Sequence, residues 1–92
     1  MISAGFWPGS ADVAAAFYSY TAPQPPGLER QPIRPAAAAW HTGLSEFLLP
    51  YDAVRRAAAP RAALLDFLQS TYEAGAKLAG WDRAALDWHA AG

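Results

Sequence analysis

Two regimes of hydrophobic patterning divide this chain. Up to about residue 50, short aromatic and apolar runs are cut by prolines and glycines; beyond Pro60, apolar positions recur at helical spacing. Residues 3–7 (SAGFW) stop at Pro8 and Gly9. Proline removes a ladder donor, so this run fits an edge strand or an extended arm. Residues 11–16 have a helix-compatible composition, but 17–21 (FYSYT) alternate in the period of a strand. We read 16–22 as a strand with Phe17 and Ser19 on one face and Tyr18 and Tyr20 on the other. Five of the eight prolines fall between 22 and 35, which makes that stretch a connection or an arm lying on the surface. Residues 36–41 are too few for a stable helix and suit a strand. Gly43 then reverses the chain into a second strand at 44–49. There Ser45, Phe47 and Leu49 share one face, while Leu44, Glu46 and Leu48 share the other, with Glu46 near the sheet's margin.

Pro50 ends that strand, and Asp52 is placed to cap a short helix over 53–59. Pro60 suits the first turn of the main helix, where a missing N–H costs nothing. Along 61–79, Leu64, Leu68, Thr71, Tyr72, Gly75, Leu78 and Ala79 define a packing stripe that Leu65 and Phe67 widen. Gly80 is a C-terminal stop. Asp82 then caps a last short helix bearing Trp88, with Trp81 and Leu86 as a hydrophobic staple. The expected fold is therefore α+β: a small antiparallel sheet of three to four strands, a short helix, one long helix and a short C-terminal helix. Residues 1–50 form the strand and proline-rich region and 51–92 the helical region, within a single domain or the C-terminal fragment of a larger one.

Composition changes this picture in one respect. The hydrophobic fraction is 53%, but 23 of the 92 residues are alanine, so the bulk of the core must come from four Trp, four Phe, four Tyr and the leucines. Only 16% of residues are charged, against roughly 25% in an average globular domain. That shortage of charge implies a surface that packs against more protein. With no cysteine, disulfides and thiolate chemistry are excluded. A net charge of −1 gives no reason to expect nucleic acid or an anionic membrane as a partner. No signal-peptide pattern and no membrane-length apolar run is present, so a cytoplasmic location is expected.

The candidate chemistry gathers around the hairpin and the following helix. Trp40, His41, Glu46, Tyr51, Asp52 and Arg55 are the candidate ligand-binding residues: a hairpin brings His41 toward Glu46, and aromatic side chains would line a pocket between them. Each also has an ordinary structural task, in a turn, at an edge or as a cap. No catalytic residue is assigned. The two histidines, His41 and His89, stand in no metal-binding spacing, and no nucleophile elbow, phosphate loop or dinucleotide fingerprint occurs; no metal and no cofactor is expected. Arg30, Arg34, Arg55, Arg56 and Arg61 would make an anion site only if the fold drew them together.

The runs SAGFWPG at 3–9, AFYSYTAPQPPG at 16–27, GLSEFLLPYDAVR at 43–55 and LLDFLQSTYEAGAKLAGWDR at 64–83 resemble, in that order, the C-terminal part of DUF5996, a bacterial family of unknown function. The resemblance implies no activity and no catalytic residue. It implies instead that this piece lies against an N-terminal portion of a longer protein, as a domain fragment, a truncated reading frame or a split subunit. The stretch 36–39 departs from the family's pattern. The functional expectation is a non-catalytic structural or protein-interaction module, partnered by the family's N-terminal portion or by self-association. The alternative is a small-molecule binding domain or enzyme with a polar and aromatic pocket in the 40–55 segment, using His41, Glu46, Tyr51 and Arg55.

Overall fold

The computed structural model describes residues 1–78. Four strands, β1 (Ile2–Trp7), β2 (Ala16–Thr21), β3 (Ala39–His41) and β4 (Glu46–Pro50), form one antiparallel sheet in the order β1-β2-β4-β3. Two helices follow, α1 (Tyr51–Arg56) and α2 (Pro60–Leu78). The α+β class and the order of strands before helices agree with the sequence. The expected C-terminal helix, with Gly80, Trp81, Asp82, Leu86 and Trp88, lies outside the described residues, as does Ala79.

β1 is an edge strand, as its flanking Pro8 and Gly9 imply, and pairs along its whole length from Ile2 with Thr21 to Trp7 with Ala16. The strand at 16–22 has the faces its alternation dictates. Phe17 packs against the core and Ser19 is buried, whereas Tyr18 and Tyr20 stack side by side on the other face. The helix-compatible residues before it form a turn instead. Ser10 N–H donates to Val13 O at 2.7 Å, and the Ser10 hydroxyl accepts from the N–H groups of Asp12 and Val13, a local bond that competes with helix formation.

Both hairpin strands are shorter than expected. Ala38 N–H still donates to Pro35 O, so β3 begins only at Ala39; the reversal occupies 42–45, where Ser45 N–H reaches Thr42 O and Ser45 has φ 55°. The proline-rich stretch is more than an arm. It contains a 3-10 turn at Leu28–Arg30 whose leucine is wholly buried in the core with Phe47, Leu49, Val54 and Phe67. Ser70 of α2 holds this segment down: its hydroxyl accepts from Arg34 N–H at 2.9 Å and lies 3.3 Å from the carbonyls of Arg34 and Phe67.

The helices start where proline permits. Pro60 opens α2 as expected, but α1 begins at Tyr51, directly after Pro50, rather than at 53, and ends at Arg56 rather than 59. Asp52 therefore sits inside the first turn and makes no capping bond; Pro50 occupies the cap position. In α2 the buried face is Phe67, Ser70, Thr71, Ala74, Gly75 and Ala76. Phe67, Thr71 and Gly75 of the stripe read from the sequence lie on this face, whereas its bulkier members do not: Leu64, Leu68 and Leu78 are half-buried, and Leu65 and Tyr72 are exposed. The reason is steric. A helix laid on a sheet needs small residues where the backbones come closest, and a Cβ at Gly75 would collide with Thr21 Oγ1 and touch Ile2 Cδ1 at 3.0 Å. Among the described residues, no helix is long and apolar enough to cross a membrane.

Candidate functional site

Because strand side chains alternate, a helix layer on one face leaves the other to be accounted for. Ile2, Phe17, Thr21, Trp40, Phe47 and Leu49 serve the helix side. Trp7, Tyr18, Tyr20 and Leu48 serve the opposite face, where no described element packs over them. Antiparallel sheets with one solvated face normally carry polar residues there. This one carries rings. Gly5, paired with Tyr18, leaves room for the Tyr18 ring to lie across β1; a Cβ on Gly5 would stand 2.5 Å from the Tyr18 hydroxyl. The Tyr18 and Tyr20 rings are 6.2 Å apart and nearly parallel, at 20°.

Between these residues runs a trench with a cavity volume of about 470 Å³. Tyr18, Tyr20 and Leu48 belong to the central strands, Trp7 stands at the end of β1, and Leu44 comes from the β3–β4 turn. The Ser10 turn adds Asp12 and Val13 to the rim, and Glu46 completes the wall. A second hollow of about 320 Å³, lined in part by Thr21, Ala22 and Gln24, shares Tyr20, Leu44 and Glu46 with the first. The two hollows thus adjoin at Tyr20, Leu44 and Glu46.

The six sequence candidates do not assemble into one site. Glu46 lines the trench, and His41 pairs with it in register across β3 and β4. His41 Nδ1 accepts the N–H of Leu44 at 3.0 Å, which fixes the turn. Trp40 is on the opposite face, edge-on to Phe47 at 5.0 Å. Tyr51 lies beyond the far end of β4, against Phe6 at 5.8 Å. Asp52 and Arg55 form an exposed ion cluster on α1: Arg55 Nε donates to Asp52 at 3.0 Å, and Arg56 approaches at 3.5 Å. The Arg55 hydrogen bond, followed by the charges of Arg55 and Arg56, holds the Asp52 carboxyl below its usual range, and the same bond raises Arg55. Nor do the arginines converge. Arg30 faces Glu29 at 3.9 Å, Arg34 faces Asp66 at 3.3 Å, and Arg55 and Arg56 share Asp52.

Of the trench residues only Glu46 was a sequence candidate; the apolar walls Trp7, Tyr18, Tyr20, Leu44 and Leu48 and the rim residues of the Ser10 turn were not. The signal was present in the alternation, since Tyr18 with Tyr20 and Leu44 with Glu46 and Leu48 had each been assigned a face away from the core residues. Joining those two faces through the β2–β4 pairing, Tyr18 with Leu48, produces the trench.

Glu46 has its carboxyl pushed above the ordinary 4.5, chiefly by burial, with His41 pulling it partly back. A carboxyl whose folded-state pKa is raised binds its proton more tightly in the native state, so stability falls as pH rises from the unfolded value through the folded one. Glu46→Gln is therefore expected to match the parent below about pH 4, where both side chains are neutral, and to be the more stable of the two at pH 7. Urea unfolding at the two pH values checks this; a less stable Glu46→Gln at pH 7 would assign the carboxylate a stabilising partner instead.

Comparison with protein families shows that residues 1–88 match the model of a family described as a family of unknown function, DUF5996. No curated protein and no solved structure matches the chain.

Proposed function

The chain belongs to DUF5996, and we propose that it works as a non-catalytic interaction module that receives an extended protein segment in the trench on the sheet face over which no described element packs. The observation that carries this reading is the trench walled by Trp7, Tyr18, Tyr20, Leu44 and Leu48 on a face where alternation would ordinarily place polar side chains. Aromatic walls suit the role, because large rigid rings supply contact area at small entropic cost. Lining contributed by β1, β2, β4 and two turns offers contacts to several successive residues of an extended chain. A segment from the N-terminal portion of a family protein, or from a second copy, would meet the need that the low charge content already signalled. Tyr51 and Arg55 lie apart from the paired His41 and Glu46, which supports a binding role over the four-residue catalytic arrangement.

A second reading, a small-molecule site in the same trench, is favoured by the volume of the deeper hollow, about 470 Å³; ligand pockets commonly run from roughly 300 to 1,000 Å³. Selection of displayed random peptides against the protein tests both. Enriched peptides are expected to lose binding to Leu48→Ser while keeping it for Arg61→Ser, a surface change on α2. Equal binding to the two variants would place the interaction elsewhere and overturn the proposal.

A further inference from the structure

The charges around the trench are distributed unevenly. Outside the trench, Glu29, Asp52 and Asp66 each have an arginine within 4 Å, and Glu73 accepts a hydrogen bond from Gln69. Asp12 and Glu46, the two carboxylates of the trench, have no ion-pair partner among the described residues, and no described lysine or arginine lines either hollow. Apart from Ser10, the remaining walls of the deeper hollow are rings and aliphatic groups: Trp7, Val13, Tyr18, Tyr20, Leu44 and Leu48. Aromatic rings attract a cation placed over their faces within about 6 Å, and the attraction grows as water is excluded. Two carboxylates beside three aromatic side chains thus offer one kind of guest more than any other: a positive charge carried on an apolar stem.

We infer that the segment received in the trench presents a lysine or arginine side chain, its stem lying on Tyr18, Tyr20 and Leu48 and its charge between Asp12 and Glu46. This rests on the reading of the trench as a protein-segment site. Burial disfavours the ionised form of Glu46, and a bound cation would supply the compensation that His41 gives only in part. The stem also matches the walls, since long basic side chains cover apolar surface with their methylenes while the head group keeps its polar partners.

The test uses acetylated, amidated pentapeptides with four alanines and a central lysine, arginine or norleucine, titrated against the full chain while the NMR signals of Tyr18, Tyr20 and Glu46 are followed. Norleucine keeps most of the stem and removes the charge. Lysine and arginine peptides are expected to bind roughly tenfold tighter than the norleucine peptide, a preference reduced by added salt. In the double variant Asp12→Asn with Glu46→Gln, the ratio of lysine to norleucine affinity should fall to about one. Equal affinity of lysine and norleucine peptides, with shifts at the trench, would overturn the charge preference and leave the trench reading intact. Absence of any trench shift with all three peptides would overturn the trench reading itself. Butyltrimethylammonium serves as a separate arm: if it binds as tightly as the lysine peptide, the occupant is a free organic cation and the assignment to a protein segment falls.

Discussion

Phe67→Ala is expected to lower the unfolding free energy by about 3–5 kcal/mol, the range for a buried phenylalanine truncated in a core. Phe67 has no exposed surface and sits where α2 meets the cluster of Leu28, Phe47, Leu49 and Val54. Its replacement leaves a cavity that α2 cannot close by moving, because Gly75 already rests against Thr21 and Ile2 and Ser70 is tied to Arg34. Natural domains hold roughly 0.05–0.15 kcal/mol of stability per residue. A loss of this size therefore takes a large share of the total in a chain of 92 residues. Urea unfolding followed by far-UV circular dichroism measures it. A loss below about 1 kcal/mol would mean that α2 is not seated on the sheet in this way.

Leu28→Ala is the second large effect, about 2–5 kcal/mol. Its interest lies in position, within a proline-rich connection where a surface substitution would cost no more than about 0.5 kcal/mol. Leu28 is fully buried among residues from β4, α1 and α2, so the connection is a third wall of the core. The same urea titration separates the alternatives, and a near-neutral result would return the segment to the surface. Arg34→Ala in the same segment should lie near zero, because its pair with Asp66 is half-exposed on both sides and such pairs contribute little.

How far the sequence revealed all this depended on the physical scale of each signal. Period-2 alternation is local, so the faces of Phe17 and Tyr18, or of Phe47 and Leu48, were legible from a few residues. Prolines are local too, and Pro50 and Pro60 marked the ends of β4 and the start of α2. The buried face of α2 was read in part: Phe67, Thr71 and Gly75 of the expected stripe are inside, but Ser70, Ala74 and Ala76 are inside for being small, and no hydrophobicity ranking favours them over Leu65 or Tyr72. Leu28 was overlooked for a related reason, since a single leucine in a proline-rich run has no periodicity to announce it. Among the site candidates, Glu46 was found from its residue type and His41 from proximity, but Trp40 fell on the other face of the strand and Tyr51, Asp52 and Arg55 beyond its end. Sequence proximity is a poor guide across a strand that separates its neighbours by face and by length. The trench needed strand order, because it is the adjacency of β2 and β4 that sets Tyr18 beside Leu48.

The contrast between the two sheet faces is what the proposed role depends on, and the double variant Tyr18→Ser with Tyr20→Ser tests it most directly. If their face is a binding surface rather than a second core, the unfolding free energy of the double variant in urea should fall by no more than about 1.5 kcal/mol, with the folded spectrum retained. A loss of about 4 kcal/mol or more, comparable to that from Phe67→Ala, would show that the rings are part of the protein's own core and would contradict the open trench.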